Sequence, residues 1–300
     1  LMLACTLAFS LNPHFAITHA WMHNGARKGL FVQTRELGIA GAYFLFLTLM
    51  SMMSRFRWLD AAGLVLGLTL IFESGSRGGA VIAGVAPFAI ILARRYGRLF
   101  QAFAAIVAAE ACLAIAEMTY LAWTGNNAID VAGLSINFTD RTMIWSYALG
   151  LWQSRPWLGF GLNGFWTNPQ IIWDFARVHR WVLNDYHSGY LAIVVETGVV
   201  GMLLFLLMVA HLCGGLRNLL RQPGPKPALE QAIGLLLMVF TINLTETGFL
   251  RSTNFDQVMF SFLALNIFAL SSGYLANRAP PIAEAGFRYY EGQADESPNR

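Results

Sequence analysis

The residues of this sequence that could do chemistry are arginines, a histidine and glutamates placed beside long apolar runs. Arg77 lies in the polar segment 73–79, Glu-Ser-Gly-Ser-Arg-Gly-Gly, between two such runs. The glycines leave backbone N–H groups open and the guanidinium adds a permanent positive charge, so the segment suits an anion such as a phosphate. The alternative is a hairpin turn in which Arg77 extends toward water or pairs with Glu73.

Arg141 and His187 stand near the two ends of a second polar region. Arg141 precedes Trp145 by four residues, which puts both on one face of a helix; the alternative is a surface arginine stacked on a tryptophan. His187 stands where the chain returns to an apolar run. An imidazole takes up protons near neutral pH, as a general base must. The alternative is a residue that only begins a helix.

Four glutamates lie inside apolar runs. Glu110 and Glu117 share one run, whereas Glu196 and Glu246 belong to others. Such carboxylates can form the proton relay that a transporter needs, or they can bond to neighbouring helices. We favour hydrogen bonding for Glu110 and Glu117, and both interpretations stay open for Glu196 and Glu246.

The composition indicates what surrounds these residues. Of the 300 residues, 56% are apolar or aromatic and 12% are charged, and the mean hydropathy is +0.51. Soluble domains carry about 25% charged residues, and a chain of this size has too little interior to bury the apolar surplus. A soluble enzyme, a disordered chain and a disulfide-stapled secreted domain are therefore excluded. The net charge is +3, and the lysines and arginines lie in short clusters between apolar runs, so no nucleic-acid partner is expected.

Apolar runs of membrane-spanning length define the predicted architecture. A spanning helix needs roughly 17–25 residues, and the runs that reach or approach this length are a partial one at 1–11 and those at 37–53, 59–72, 80–93, 100–123, 189–213, 233–249 and 258–275. We predict an all-α, polytopic integral membrane bundle of about eight spans. Since the first residue is Leu1 and no signal peptide is visible, we expect a longer protein whose first spans are missing here.

Short basic loops predict the orientation of this bundle. Arginines and lysines cluster in alternate loops, at 55–57, 94–98 and 217–226, and such loops face the cytoplasm. Segments 73–79 and 124–187 are then expected together on the outer side. The predicted domains are N-terminal spans at 1–123, a tryptophan-rich periplasmic segment with interfacial helices at 124–187, C-terminal spans at 188–276 and a disordered cytoplasmic tail at 277–300.

Taken together, the motifs of this chain resemble those of the O-antigen ligase superfamily. They are Ser-Arg-Gly-Gly at 76–79, Arg141-x-x-x-Trp145, Pro-Trp-Leu-Gly-Phe-Gly at 156–161, His-Ser-Gly-Tyr-Leu at 187–191 and Glu-x-Gly-x-x-Gly at 196–201. Asn-Leu-Thr-Glu at 243–246 is similar to the exopolysaccharide polymerase branch. The chain departs from the family at Ser188, where asparagine is usual, and at 33–35, where Gln-Thr-Arg replaces His-Lys-Asn.

The resemblance implies a glycosyltransferase that needs neither metal nor cofactor. The donor would be an undecaprenyl-diphosphate-linked saccharide, and the acceptor a hydroxyl of a saccharide or lipid core. Arg77 and Arg141 would bind the diphosphate, and His187 would deprotonate the attacking hydroxyl, with inversion at the sugar. The residues further expected to bind substrate are Ser76, Trp145, Tyr190, Glu196 and Glu246. The site is expected to face the periplasm from a bacterial inner membrane, with other polysaccharide-export or chain-length proteins as partners.

Two functional alternatives remain at this point. A polysaccharide-lipid flippase or proton-coupled secondary transporter would use the intramembrane glutamates, but it should show internal repeats, and the sequence contains none that we detect. Within the enzyme interpretation, polymerase and ligase are both open, because they share the donor chemistry and differ only in the acceptor.

The orientation predicts which positions a membrane-impermeant thiol reagent reaches in intact cells. In a background without Cys5, Cys112 and Cys213, Arg177→Cys should be labelled in intact cells. Arg95→Cys should be labelled only after the cells are broken, because a basic loop faces the cytoplasm. Labelling of Arg95→Cys in intact cells would contradict the orientation.

Overall fold

The computed structural model of the chain describes residues 2–17, 26–31, 33–96, 98–124, 128–131, 134–137, 141–180, 182–183, 185–223, 226–252 and 254–276. Its helices are α1 (Met2–Leu11), α2 (Pro13–Ala16), α3 (Thr34–Ser54), α4 (Trp58–Ser74), α5 (Arg77–Tyr96), α6 (Leu99–Thr124), α7 (Arg141–Trp152), α8 (Pro169–His179), α9 (Gly189–Leu220), α10 (Pro227–Thr245) and α11 (Phe255–Ala276). The strands β1 (Ala128–Val131) and β2 (Leu134–Asn137) pair antiparallel.

The predicted helical membrane architecture is confirmed, and the span count is approximate. Every predicted apolar run falls largely in a helix. Four stretches are long and apolar enough to cross a membrane within the described residues: Thr34–Ser54, Gly189–Leu220, Pro227–Thr245 and Phe255–Gly273. Shorter apolar stretches lie in α5 and α6. The small β-hairpin was not predicted, and the predicted tail at 277–300 lies outside the described residues.

Helix α10 is the centre of the bundle. All of its side chains from Ile233 to Asn243 are buried, as expected of a helix that is apolar on every face. It contacts α3, α5, α6, α9 and α11. On the outer helices, by contrast, large apolar side chains such as Phe72 and Leu207 are exposed, which suits surfaces that face lipid.

Ion pairs show which helix ends lie together. At one end of the bundle Arg35, in the first turn of α3, pairs with Glu246, directly after α10. At the opposite end Arg94 of α5 pairs with Glu230 of α10. Because Arg141 of α7 also approaches Glu246, the predicted outer segment lies at the same end as the first turn of α3. Which side of the membrane this end faces stays a prediction.

Helices α7 and α8 belong to the predicted outer segment and share a small aromatic core. Its buried side chains include Trp145, Phe165, Trp166, Phe175 and Tyr186. Asn168 caps α8 by accepting a hydrogen bond from the Gln170 N–H at 3.0 Å. The large apolar side chains of Trp157 and Trp173 are exposed, as suits a segment that lies at a membrane interface.

Helix α9 bends at Gly198, and the loop 156–161 docks on the bend. Gly198 has φ of +67°, in the left-handed region that glycine tolerates best. Four backbone hydrogen bonds join loop and helix, from Phe160 N–H to Val195 O, Gly161 N–H to Glu196 O, Val199 N–H to Pro156 O and Val200 N–H to Trp157 O. The loop thus supplies hydrogen-bond partners for backbone N–H and C=O groups of α9 that the bend leaves without helical partners. Two separate sequence motifs, at 156–161 and 196–201, therefore form one structural unit.

A side chain at Gly198 should weaken this unit. In Gly198→Ala the new Cβ would lie 2.3 Å from the Trp157 backbone, at a φ that costs about 1–3 kcal/mol for other residues. We expect a lower thermal denaturation temperature for the purified protein in detergent.

The matched control is Gly214→Ala in the same helix, where a Cβ would meet nothing within 4 Å. Alanine is the better helix former there, so the denaturation temperature should stay equal or rise. Equal stability of the two variants would contradict the assigned role of Gly198.

Candidate active site

Five charged or ionisable side chains meet at the end of the bundle where α3 begins and α10 ends. They are Arg35, Arg141, Asp185, His187 and Glu246, which we call the charged cluster. Arg35 Nη1 lies 2.5 Å from Glu246 Oε2 and 3.1 Å from His187 Nδ1. Arg35 Nη2 lies 3.6 Å from Asp185 Oδ2, and Arg141 Nη2 lies 3.6 Å from Glu246 Oε1. One guanidinium therefore contacts three of the other four side chains.

The first turn of α3 presents Arg35. Gln33 and Glu36 form a capping box at this helix start, in which the Gln33 N–H donates to the Glu36 carboxylate at 3.3 Å. Such reciprocal bonds satisfy N–H groups that a helix start leaves free. The segment 33–35, where the sequence departs from the pattern of the family it resembles, thus both begins α3 and supplies a cluster residue.

The turn before α9 presents His187. Ser188 caps α9 by accepting a hydrogen bond from the Leu191 N–H at 3.3 Å. The His187 backbone is left-handed, with φ of 54°, and its N–H donates to Asp185 Oδ1 at 3.4 Å. A non-glycine residue persists in this conformation when its surroundings over-determine it, as they often do at functional sites.

Trp145 connects α7 to the same turn. Its side chain is buried, and its indole N–H donates to the Tyr186 carbonyl at 2.8 Å. Trp145 is thus part of the core and not of the surface. Since Arg141 stands one helical turn before Trp145, this bond sets where Arg141 lies relative to His187.

Asn243 fixes the chain segment that carries Glu246. Its buried side-chain carbonyl accepts from the Gly248 N–H at 2.9 Å and the Phe249 N–H at 2.8 Å. Its amide donates to the Val239 carbonyl at 2.8 Å. The chain after α10 is thereby folded back over the helix end, with Glu246 at the start of the fold-back.

The electrostatics of the cluster centre on the His187 ring. Nδ1 lies 3.7 Å from both Asp185 Oδ2 and Glu246 Oε2. A guanidinium only donates hydrogen bonds, so in the contact with Arg35 the Nδ1 atom accepts. The two carboxylates would stabilise a positive charge on the ring, while the two arginines would stabilise an added anion.

Asp185, His187 and Glu246 have one possible metal ligand each, and these atoms lie within 4.8 Å of one another. A divalent ion could use that spacing. Arg35 contacts all three residues, however, so an ion there would have to displace a permanent positive charge. The donor set therefore fits an arginine-bound cluster better than a metal centre.

The structure brings together three of the predicted site residues: Arg141, His187 and Glu246. Arg77 begins α5 at the same end, since its neighbour Gly78 lies close to Ile242 and Thr245 of α10. Its side chain is exposed, and it makes no ion pair with any residue that the structure describes. The predicted alternative partner, Glu73, pairs with Arg27 instead.

The other predicted substrate-binding residues make structural contacts apart from the cluster. The Ser76 hydroxyl accepts from the Gly79 N–H at 3.1 Å, at the start of α5. The Tyr190 hydroxyl donates to the Phe240 carbonyl at 3.1 Å. Their binding of substrate, like that of the buried Trp145, stays a prediction.

Glu196 is fully buried and pairs with Arg251 through two hydrogen bonds, of 2.8 and 2.9 Å. It also accepts from the Asn163 N–H at 2.9 Å. Burial by itself lowers the pKa of Arg251, but the hydrogen bonds and charge of Glu196 raise it overall. Burial, and next the charge of Glu196, raises the pKa of the neighbouring Tyr186 well above its ordinary value. Glu196 thus stabilises the bend of α9 as an ion pair.

Glu110 is buried and accepts a hydrogen bond of 2.5 Å from the Thr241 hydroxyl. This contact between α6 and α10 agrees with the hydrogen-bonding interpretation of that residue. The side chain of Glu117 lies outside the described residues.

Sequence reasoning missed Arg35 and Asp185 as site residues. Asp185 precedes His187 by two residues, a signal that could have included it. Arg35 and His187 are separated by 152 positions, and no local pattern predicts that they meet. Only the departure from the family at 33–35 marked the segment as unusual.

Comparison with known proteins shows what this chain is similar to. Residues 62–206 match the family model described as O-antigen ligase. The chain is also 23% identical over 227 residues to the exopolysaccharide production protein ExoQ of Rhizobium meliloti strain 1021, an alignment that covers 70% of this chain and 52% of the relative. The chain thus spans about half the length of the curated relative it matches. The family match, the relative, the helical membrane architecture and the order of the motifs all support the resemblance to the O-antigen ligase superfamily.

Proposed function

We propose that this protein is a membrane glycosyltransferase that moves a saccharide from undecaprenyl diphosphate to an acceptor hydroxyl. The observation that carries the proposal is the meeting of Arg35, Arg141 and His187 around Glu246 at one end of a membrane bundle. The product would be an exopolysaccharide or O-antigen chain, made by a polymerase or attached by a ligase. Family and relative support this class of reaction.

The arginines have the chemistry that the leaving group requires. When the bond between the sugar and the diphosphate breaks, its electron pair goes to a phosphate oxygen, where negative charge develops. Two guanidiniums can stabilise this charge through paired hydrogen bonds. The carboxylate of Glu246, which lies between Arg35 and Arg141, occupies an anion position of this kind. Arg77, exposed at the same end, would add a third positive charge.

His187 is the proposed general base. In the contact with Arg35 the neutral ring accepts at Nδ1 and carries its proton on Nε2. If the incoming diphosphate draws Arg35 away, Nε2 can lose its proton to water while Nδ1 takes one up, and Nδ1–H then donates to Asp185 or Glu246, both 3.7 Å distant. Nε2 then has a free lone pair that takes the proton of the acceptor hydroxyl. The attacking oxygen forms its bond to the sugar as the phosphate leaves.

A single displacement of this kind inverts the anomeric carbon. The positive charge needed by the leaving group comes from arginines, so the proposed reaction needs no metal. The donor is a lipid and the site lies at a bundle end, so the reaction takes place at the membrane surface. We assign that surface to the periplasmic face of a bacterial inner membrane, in line with the basic loops at the opposite end.

The transporter alternative gains little from the glutamates. Glu110 bonds to Thr241 and Glu196 is held by Arg251, and these are separate contacts between helices and loops. Glu196 is bound through both of its oxygens, and Glu110 joins α6 to α10 through one of its two oxygens.

Lysine should replace neither cluster arginine well. A point charge lacks the planar fork that holds two oxygens, so Arg35→Lys and Arg141→Lys should each reduce transfer by about 10- to 100-fold, the worth of a charge-assisted hydrogen bond. The measurement is transfer from a lipid-diphosphate-linked saccharide by membranes that contain equal amounts of each protein.

Arg177→Lys is the matched control, since Arg177 is an exposed residue that pairs with Asp174 within α8. It should transfer normally. If both cluster variants also retain near-normal transfer, the arginines do not bind the diphosphate as proposed.

His187→Gln should lose most activity and keep donor binding. General bases contribute about 10²- to 10⁴-fold, and glutamine keeps hydrogen bonding but accepts no proton. Single-turnover transfer measures the loss, and equilibrium binding of the lipid-linked donor tests what remains.

His211→Gln serves as the control, because His211 lies in α9 next to Phe268, outside the charged cluster. A deficit of only a few-fold for His187→Gln would assign that residue to positioning and not to proton transfer.

A further inference from the structure

A cavity of about 380 Å³ opens beside the charged cluster. It lies between the first turns of α3 and the start of α11, and Arg35, Asp185 and Glu246 form part of its wall. Its volume falls in the lower part of the range of about 300–1,000 Å³ that small-ligand sites occupy. Arg141 does not contribute to this wall among the residues described, so the cavity lies on the Arg35 side of Glu246.

The polar wall of the cavity is acidic. Four acidic residues line it, Glu36, Asp185, Glu246 and Asp256, against one basic residue, Arg35. Carboxylates repel phosphates and other anions, and they accept hydrogen bonds from hydroxyl groups. The cavity is therefore unsuited to the diphosphate of a donor or to an acidic sugar.

The opposite wall is apolar and partly aromatic. Phe31, Ile39 and Phe255 contribute to it, and Phe255 is fixed by edge-on packing against the Tyr43 ring at 5.2 Å. The Tyr43 hydroxyl in turn donates to Asp256 at 2.7 Å. A sugar ring has C–H faces that pack on such surfaces and hydroxyl edges that need hydrogen-bond partners. A lipid tail would place hydrocarbon against a lining that contains four acidic residues.

Thr247 supplies an independent sign that a polar ligand binds here. It lines the cavity, it is 6% exposed, and its hydroxyl has no hydrogen-bond partner in the described part of the chain. A buried polar group without a partner costs about 1–3 kcal/mol. A ligand hydroxyl in the cavity would remove that cost.

We infer that this cavity is the subsite for an uncharged saccharide, the sugar that bears the attacking hydroxyl. The assignment of this sugar as the acceptor rests on the proposed glycosyl transfer, whereas the binding of a saccharide in the cavity does not. Asp185 and Glu246 belong to both cavity and cluster, so a sugar in the cavity directs a hydroxyl toward His187. The donor diphosphate is then held by Arg35 and Arg141 outside the cavity, and the acceptor sugar lies inside it.

Binding of disaccharides to the full chain in lipid nanodiscs tests this assignment. The probes are cellobiose and lactose, which are neutral, and cellobiouronic acid, which adds one carboxylate to cellobiose. Saturation-transfer NMR reports binding without any turnover. We expect at least one neutral disaccharide to bind, and the acidic one to bind more weakly. No binding by either neutral probe, or stronger binding by the acidic one, overturns the inference.

Two variants test the residues. Thr247→Val should weaken the binding of the neutral disaccharide by about 3- to 10-fold, as expected for one lost hydrogen bond, without lowering thermal stability. Thr48→Val is the same change at a residue of α3 that does not line the cavity, and this variant should bind the disaccharide like the unmodified protein. In Asp256→Asn the side-chain oxygen can still accept the hydrogen bond from Tyr43, but one negative charge is lost. This variant should therefore narrow the difference in affinity between the neutral and the acidic disaccharide. Unchanged affinity in Thr247→Val and an unchanged difference in Asp256→Asn would contradict the assignment.

The disaccharide-binding experiment and the transfer assays can fail independently of each other. If transfer fails while the neutral disaccharide binds and Thr247→Val weakens it, the proposed function is wrong and the saccharide site stands. If transfer succeeds and the disaccharides do not bind, the acceptor lies elsewhere.

Discussion

The ion pairs of Arg35 are the interaction on which this end of the structure depends. One guanidinium contacts Glu246 after α10, and Asp185 and His187 before α9. These groups are half-buried, where an unpaired charge is costly and a paired one is tolerated. Three segments distant in sequence are therefore held at one point. The same pairing leaves a site that can exchange a carboxylate for a phosphate as the partner of an arginine.

A second ion pair stabilises the frame around that point. Glu196, fully buried, is bound by Arg251 and by the backbone of the loop after α7. It lies beside Gly198, where α9 bends and the loop 156–161 docks. The charged cluster thus lies next to a support that the ion pair of Glu196 stabilises, while the binding of substrate by Glu196 stays a prediction. Catalysis by positioned charges needs such a support, since small displacements reduce the stabilisation of a transition state.

Glu246 lies next to two different environments, and the proposed reaction uses one for the donor and the other for the acceptor. Arg35 and Arg141 both contact the Glu246 carboxylate and are positively charged, as suits a diphosphate. The cavity beside Arg35 is lined by acidic and aromatic residues, as suits a neutral sugar. His187 lies between these regions, within reach of carboxylates that would stabilise its protonated ring. The proposed donor and acceptor are therefore sorted by charge before they react.

The sequence by itself determined the membrane class, because too few charged residues remain to solvate so apolar a chain, and it located the helices, because spanning runs are continuous. Its motifs also marked Arg141, His187 and Glu246, since ionisable groups beside apolar runs are costly and therefore conspicuous. Only the tertiary structure decided that Arg35 and Asp185 join them, that Glu196 pairs with Arg251, and that a cavity opens beside the cluster. Contacts between side chains that lie 55 or 152 residues apart depend on how helices pack, and packing leaves no periodic signal in a single sequence.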